Sequence, residues 1–84
     1  MNITETSKAL FLAYARDAGN WNGQPLVGGN VGGNIKAQRG NLTQLKQAGL
    51  ITTQVEREPG SPAATFINFT DAGKAFAAEN GITI

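Results

Sequence analysis

Between residues 18 and 55 the only charged side chains are Lys36, Arg39 and Lys46, and all three are cations. Interleaved with them are the carboxamides Gln24, Asn30, Asn34, Gln38, Asn41, Gln44, Gln47 and Gln54. Lys, Arg, Asn and Gln are the side chains that reach phosphate oxygens and base edges, so the chemistry open to this block is non-covalent recognition of a polyanion. The flanks are different. Residues 1–17 set Lys8 and Arg16 against Glu5 and Asp17, while residues 56–84 set Arg57 and Lys74 against Glu56, Glu58, Asp71 and Glu79. The net charge of +1 therefore conceals a basic centre opposed by an acidic C-terminal third. An ordinary solvated surface has the same residue types, and charge pattern alone leaves both readings open.

Covalent and metal chemistry find little support. The 84 residues contain no Cys and no His, which excludes a disulfide framework, thiolate or imidazole catalysis and the usual zinc ligands. Ser7 and Ser61 have no His partner for a hydrolytic triad. Glu56 and Glu58, two apart on a predicted strand, would share one face about 6–7 Å apart. That pair beside an exposed Pro-Gly turn, with no cleft, reads as a solvated edge rather than a glycosidase pair. Gly28-Gly29-Asn30-Val31-Gly32-Gly33-Asn34 has the composition of a backbone nest for phosphate but lacks the Gly-Lys-Ser/Thr of a phosphate loop. A tight turn leading into a short, glycine-weakened helix is the other reading. The expectation is no enzyme, no cofactor and no metal.

Length and patterning give a single domain over residues 1–84. No apolar run approaches the roughly 18–20 residues of a membrane span, and Met1-Asn2-Ile3-Thr4-Glu5 opens without a basic stretch leading into an apolar one, so a cytoplasmic protein with no membrane partner is expected.

The elements that must position the basic block follow from periodicity. Leu10, Phe11, Tyr14, Ala15 and Ala18 recur at helical spacing behind the caps Thr4 to Ser7, predicting a helix over about 5–18 that Gly19-Asn20 ends, with Trp21 packing back on it. Seven Gly and four Asn fill half of residues 19–40, leaving room for a short strand at Pro25-Leu26-Val27 and a short helix at about 31–35. The helical period returns with Ile35, Leu42, Leu45 and Gly49 on one face and Lys36, Arg39, Thr43, Lys46 and Gln47 largely off it, and Ala48-Gly49-Leu50 ends the helix with a glycine. Arg39-Gly40-Asn41 is either the interior of this helix or a turn in which Asn41 caps a shorter one. Ile51 to Arg57 and Thr65 to Phe69 alternate as two strands about the Glu58-Pro59-Gly60-Ser61-Pro62 turn. Thr70-Asp71 then caps a helix over about 71–79, whose Ala72, Gly73, Ala75, Ala77 and Ala78 give it a small-residue surface.

The resulting order, helix, short strand, short helix, helix, strand, strand, helix, is an α+β arrangement that resembles the winged helix-turn-helix. Leu42-Thr43-Gln44-Leu45-Lys46-Gln47-Ala48-Gly49-Leu50-Ile51 is similar to the end of the recognition helix in MarR-like transcriptional regulators, and Phe69-Thr70-Asp71-Ala72-Gly73-Lys74-Ala75 to the segment after their second wing strand. The likeness covers about residues 35–78 in sequence and residues 1–34 in element order. It implies a recognition helix at about 36–48 in the major groove of double-stranded DNA and a wing at about 51–69 near the backbone. Three features depart from that family: the 84 residues lack its additional dimer-forming helices, the helix before the recognition helix is rich in Gly, and the wing sets Glu56 and Glu58 beside Arg57. Compact chains of this kind resemble small proteins of bacteriophages and mobile elements.

On this reading Gln38 and Arg39 face base edges, while Asn34, Lys36 and Lys46 reach phosphates, with Thr43 on the same face. Asn30 and Asn34 either aim backbone N–H groups at a phosphate or serve only as turn formers. Arg57 is either the wing's phosphate contact or the partner of a neighbouring carboxylate. The aromatic residues read as core rather than as a base-stacking platform. The alternative function is a winged helix that binds protein, such as a phage-encoded modulator of a host enzyme or an assembly adaptor. A symmetric DNA site would require a homodimer.

Overall fold

A computed structural model describes residues 3–84; Met1 and Asn2, which open the N-terminal stretch Met1-Asn2-Ile3-Thr4-Glu5, lie outside the described residues. The chain is α+β, with three helices and a two-stranded antiparallel sheet. Helix α1 spans Glu5–Asp17 and runs into a 3₁₀ turn at Ala18–Trp21; α2 spans Ile35–Gln47, β1 Ile51–Glu56, β2 Ala64–Phe69 and α3 Asp71–Glu79. Among the described residues no helix is long and apolar enough to cross a membrane.

Each helix starts on a polar cap. Thr4 Oγ1 accepts from Ser7 N at 3.1 Å, Asn34 Oδ1 from Lys36 N at 2.9 Å, and Thr70 Oγ1 from Gly73 N at 3.0 Å, each satisfying an otherwise orphaned donor. Helix α2 closes on Gly49 at φ +77°, where Gly49 N reaches Lys46 O and Leu50 N reaches Leu45 O. That is the paired-bond ending in which a left-handed glycine satisfies the last carbonyls.

Two expected elements change form. The short strand at 25–27 is reduced to one bridged pair, Leu26 with Phe66, flanked by Val27 N to Thr65 O at 2.8 Å and Ile67 N to Pro25 O at 2.9 Å. Gly23 at φ +88° and Gly28 at φ +76° turn the chain away at both ends, and Pro25 has no N–H to extend the ladder. The short helix at about 31–35 does not form. Gly33 sits at φ +109° and Asn34 in an extended conformation, so helical geometry begins only at Ile35.

The hairpin pairs Ile51 with Phe69, Thr53 with Ile67 and Val55 with Thr65 on its inner face. Ile51, Ile67 and Phe69 are buried there with Phe11, Tyr14, Ala15 and Ala18 of the first helical segment, Leu42 and Leu45 of α2, Leu50 and Ala77. Phe11 ties three elements together, its ring centroid 5.6 Å from Phe69 and 5.2 Å from Phe76, distances favourable for aromatic pairs.

The two stretches that carried the family resemblance meet in space. Thr70 Oγ1 donates to Gly49 O at 2.6 Å and Thr70 N to Leu50 O at 3.2 Å, and a Cβ on Gly73 would fall well inside contact distance of that same Leu50 carbonyl. Gly73 is therefore what lets α3 lie directly on the end of α2. Gly73→Ala is expected to lower stability by about 1–3 kcal/mol, the usual scale of overpacking, and the melting temperature by roughly 4–8 °C per kcal/mol. Thermal unfolding followed by circular dichroism checks this; an unchanged midpoint would contradict the close packing.

Candidate nucleic-acid interface

Helix α2 has two polar sides with opposite duties. Gln38, Asn41 and Gln44, three residues apart, form a row of ties to α1. The Tyr14 hydroxyl donates to Gln38 Oε1 at 2.6 Å, Ser7 Oγ to Asn41 Oδ1 at 3.0 Å, and Thr4 N to Gln44 Oε1 at 2.7 Å. Leu42 and Leu45 fill the space beside this row.

Gln38 corrects an expectation. Assigned by the sequence pattern to base edges, it is only 5% exposed, and both ends of its carboxamide are committed, Oε1 to Tyr14 and Nε2 to Gly32 O at 3.1 Å. Its spacing of four and seven residues from Leu42 and Leu45 was the signal for an inward position, since 38, 42 and 45 lie on one helical face. Tyr14 Oη also accepts from Gly28 N at 3.1 Å, so one chain of bonds, buried at its Tyr14–Gln38 link, joins α1, the glycine-rich loop and α2. Burial pushes the Tyr14 phenol above its ordinary value, with the Gly28 N–H opposing and the Asp17 charge adding. The phenol stays protonated and donating at neutral pH.

Asn30 and Asn34 serve structure as well. Asn34, assigned to a phosphate, is the α2 cap, with Oδ1 taken by Lys36 N. Asn30 Nδ2 donates to Asp17 Oδ1 at 2.9 Å, alongside Asn20 Nδ2 at 2.8 Å and Trp21 Nε1 on Oδ2 at 2.8 Å. With Gly28 N on Tyr14 and Gly29 N on Leu26 O, the loop spends N–H groups internally, which argues against a phosphate nest. Among the described residues every buried side-chain nitrogen and oxygen has a partner, so the loop costs little desolvation despite its polarity.

The other side of α2 faces solvent. Lys36, Arg39, Gly40, Thr43, Lys46 and Gln47 are exposed. A groove of about 370 Å³ runs between this side and the inner face of the hairpin, lined by Val27, Ile35, Arg39, Leu42, Thr43, Lys46, Thr53 and Thr65. Two cations and three hydroxyls thus converge over a small apolar floor, and no carboxylate lines it. The structure brings together Arg39, Thr43 and Lys46. Lys36 lies on the same helix outside the groove, and Arg57 sits beyond the end of β1 in the exposed tip. Ile35, expected on the core face, is 43% exposed at the groove.

Arg39-Gly40-Asn41 is helix interior, the first of the two geometries left open by the sequence. Glycine in a helix interior costs about 0.5–1 kcal/mol relative to alanine. The Glu56 and Glu58 pairing is also corrected, because β1 ends at Glu56 and Glu58 belongs to the turn, where its carbonyl accepts from Ser61 N at 3.1 Å. Among the described residues no group of three or more acidic, His or Cys side chains is placed to hold a metal ion. In comparisons with known proteins, the chain matches no family model, no curated protein and no solved structure at a significant level.

The Asp17 site makes a pH prediction. Asp17 is 8% exposed, and the Asn20 and Asn30 amides, with Trp21 assisting against the effect of burial, hold its carboxyl below the usual range. Its contribution to stability is therefore fully present above the unfolded value of about 3.9 and is lost as pH falls through the lower folded value. Asp17→Asn is expected to melt earlier at neutral pH and to lose less of its melting temperature on acidification than wild type. Parallel melts from neutral to acid pH check this, and equal losses in the two proteins would contradict it.

Proposed function

We propose that this protein is a small winged-helix DNA-binding protein, MarR-like in its recognition helix and wing, that regulates transcription in the cytoplasm without catalysis. Helix α2 enters the major groove and the β1–β2 hairpin acts as the wing. The observation that carries this reading is the acid-free outer side of α2, where Arg39, Thr43 and Lys46 converge beside the hairpin and Lys36 extends the same charge toward the helix start. Thirteen residues make α2 about 20 Å long, and a helix of that kind fits a major groove about 12 Å wide. Its inner side is held by three hydrogen bonds to α1 and its N-terminal neighbour, so the cations are presented on a fixed support.

On this reading Arg39 reads a base edge, Lys36 and Lys46 hold phosphates, Thr43 adds a hydroxyl, and Arg57 lies where the wing meets the backbone. Two copies on a symmetric site would act as a homodimer with half-sites about 34–36 Å apart.

A second reading has its own support. Ile35 is 43% exposed and Val55, next to Thr65 on the same hairpin face, is 53% exposed, and exposed apolar side chains beside a groove suit a protein partner. Glu56 and Glu58 in the wing favour the same alternative, a modulator of a host enzyme or an assembly adaptor.

Fluorescence anisotropy with a labelled random duplex separates the two. DNA binding is expected at low salt, with log K falling linearly against log salt. Arg39→Ala with Lys46→Ala is expected to weaken binding and flatten the slope by about 0.9 for each phosphate no longer neutralised. Unchanged affinity and slope in the double variant would overturn this face as the interface. Absence of wild-type binding at tens of micromolar would favour the protein partner.

A further inference from the structure

Gly40 is the sixth residue of the thirteen-residue α2, and nothing inside the protein calls for a glycine there. Glycine is required inside a folded chain for two reasons, a positive φ or a neighbour too close for a Cβ. Gly73 illustrates the second and Gly49 the first. Gly40 has neither: its φ is not positive, and a Cβ built on it would meet no atom within 4 Å beyond its chain neighbours and the backbone of its own helix. Alanine would fit and would favour the helix.

Its surroundings point outward. Lys36 lies four residues before it, Thr43 three after and Gln47 seven after, so Gly40 is the bare position in a stripe of exposed residues along the helix. Arg39 precedes it, and Arg39, Thr43 and Lys46 line the groove beside it. The one position on this side without a side chain lies near the helix centre, the part of a helix that approaches a convex or grooved partner most closely.

We propose that Gly40 is a contact notch, the point at which the α2 backbone meets the edge of a base pair on the floor of the major groove. This rests on the DNA-binding reading and adds a specificity-determining position to it. A side chain at 40 would hold the helix away from the groove floor and lengthen the reach of Arg39 and Thr43 together. The thymine methyl is the most prominent apolar group on that floor, so the base pair facing Gly40 is where a tight backbone approach discriminates by shape.

Gly40→Ala and Gly40→Leu test this by separating stability from binding. Gly40→Ala is expected to raise the melting temperature by a few degrees, roughly 4 °C, while weakening duplex binding about tenfold, the scale of one good base contact. Gly40→Leu weakens binding further. The salt slope stays at the wild-type value in both, because no phosphate contact is removed. A Gly40→Ala protein that binds duplex as tightly as wild type overturns the notch and leaves the DNA-binding reading standing. One that is less stable than wild type overturns it too, since the glycine would then serve the fold. A wild-type protein that binds no duplex defeats the DNA-binding reading itself, and the notch with it.

Discussion

The hydrogen bond from the Tyr14 hydroxyl to Gln38 Oε1, 2.6 Å long and buried, decides how α2 is oriented. A buried carboxamide that loses its partner costs about 1–3 kcal/mol, so rotation of α2 about its axis is opposed at Gln38 and again at Asn41 and Gln44. The same phenol accepts from Gly28 N, and the same Gln38 donates to Gly32 O, so the bond also closes the loop that precedes the helix. A segment this rich in glycine loses more backbone entropy on ordering than most. Its order comes from polar anchors, with Asp17 gathering Asn20, Trp21 and Asn30 as a second one. The loop takes the place of an added helix without one being formed.

The oriented helix divides its labour by residue type. Gln38, Asn41 and Gln44 face α1 and set geometry, while Lys36, Arg39 and Lys46 face outward. Orientation of one positive side on an anionic partner needs that separation more than it needs a large net charge. Alongside it, the end of α2 is locked to α3 through Gly49, Leu50, Thr70 and Gly73, so the helix is held at both ends.

Much of the framework was legible from local rules. The Thr70-Asp71 cap, the Gly49 stop and the Pro59-Gly60 turn each have a strong short-range physical cause, and the helix over 71–79 and the hairpin follow them closely. The α2 cations were legible as exposed, because Lys and Arg are rarely buried. The illegible features depended on distant partners. Gln38 and Asn34 have the same side-chain chemistry whether they meet a nucleotide or Tyr14 and the helix backbone, and only tertiary contact separates these roles. The helix expected at 31–35 failed at Gly33, which takes φ +109° between Gly32, whose carbonyl accepts from Gln38 Nε2, and the extended cap Asn34. Ile35 belonged by periodicity to the core face, yet at the first turn of α2 it lines the groove and is left partly open to solvent.

The outer side of α2, oriented by the Tyr14–Gln38 bond, is the surface we propose to meet duplex DNA. Backbone amide shifts of isotope-labelled protein titrated with duplex at low salt test it most directly. The largest changes are expected at Lys36, Arg39, Gly40, Thr43 and Lys46, with smaller ones at the hairpin tip near Arg57. Changes centred on α3 or on the outer face around Trp21 and Phe66, or none at saturating duplex, would contradict it.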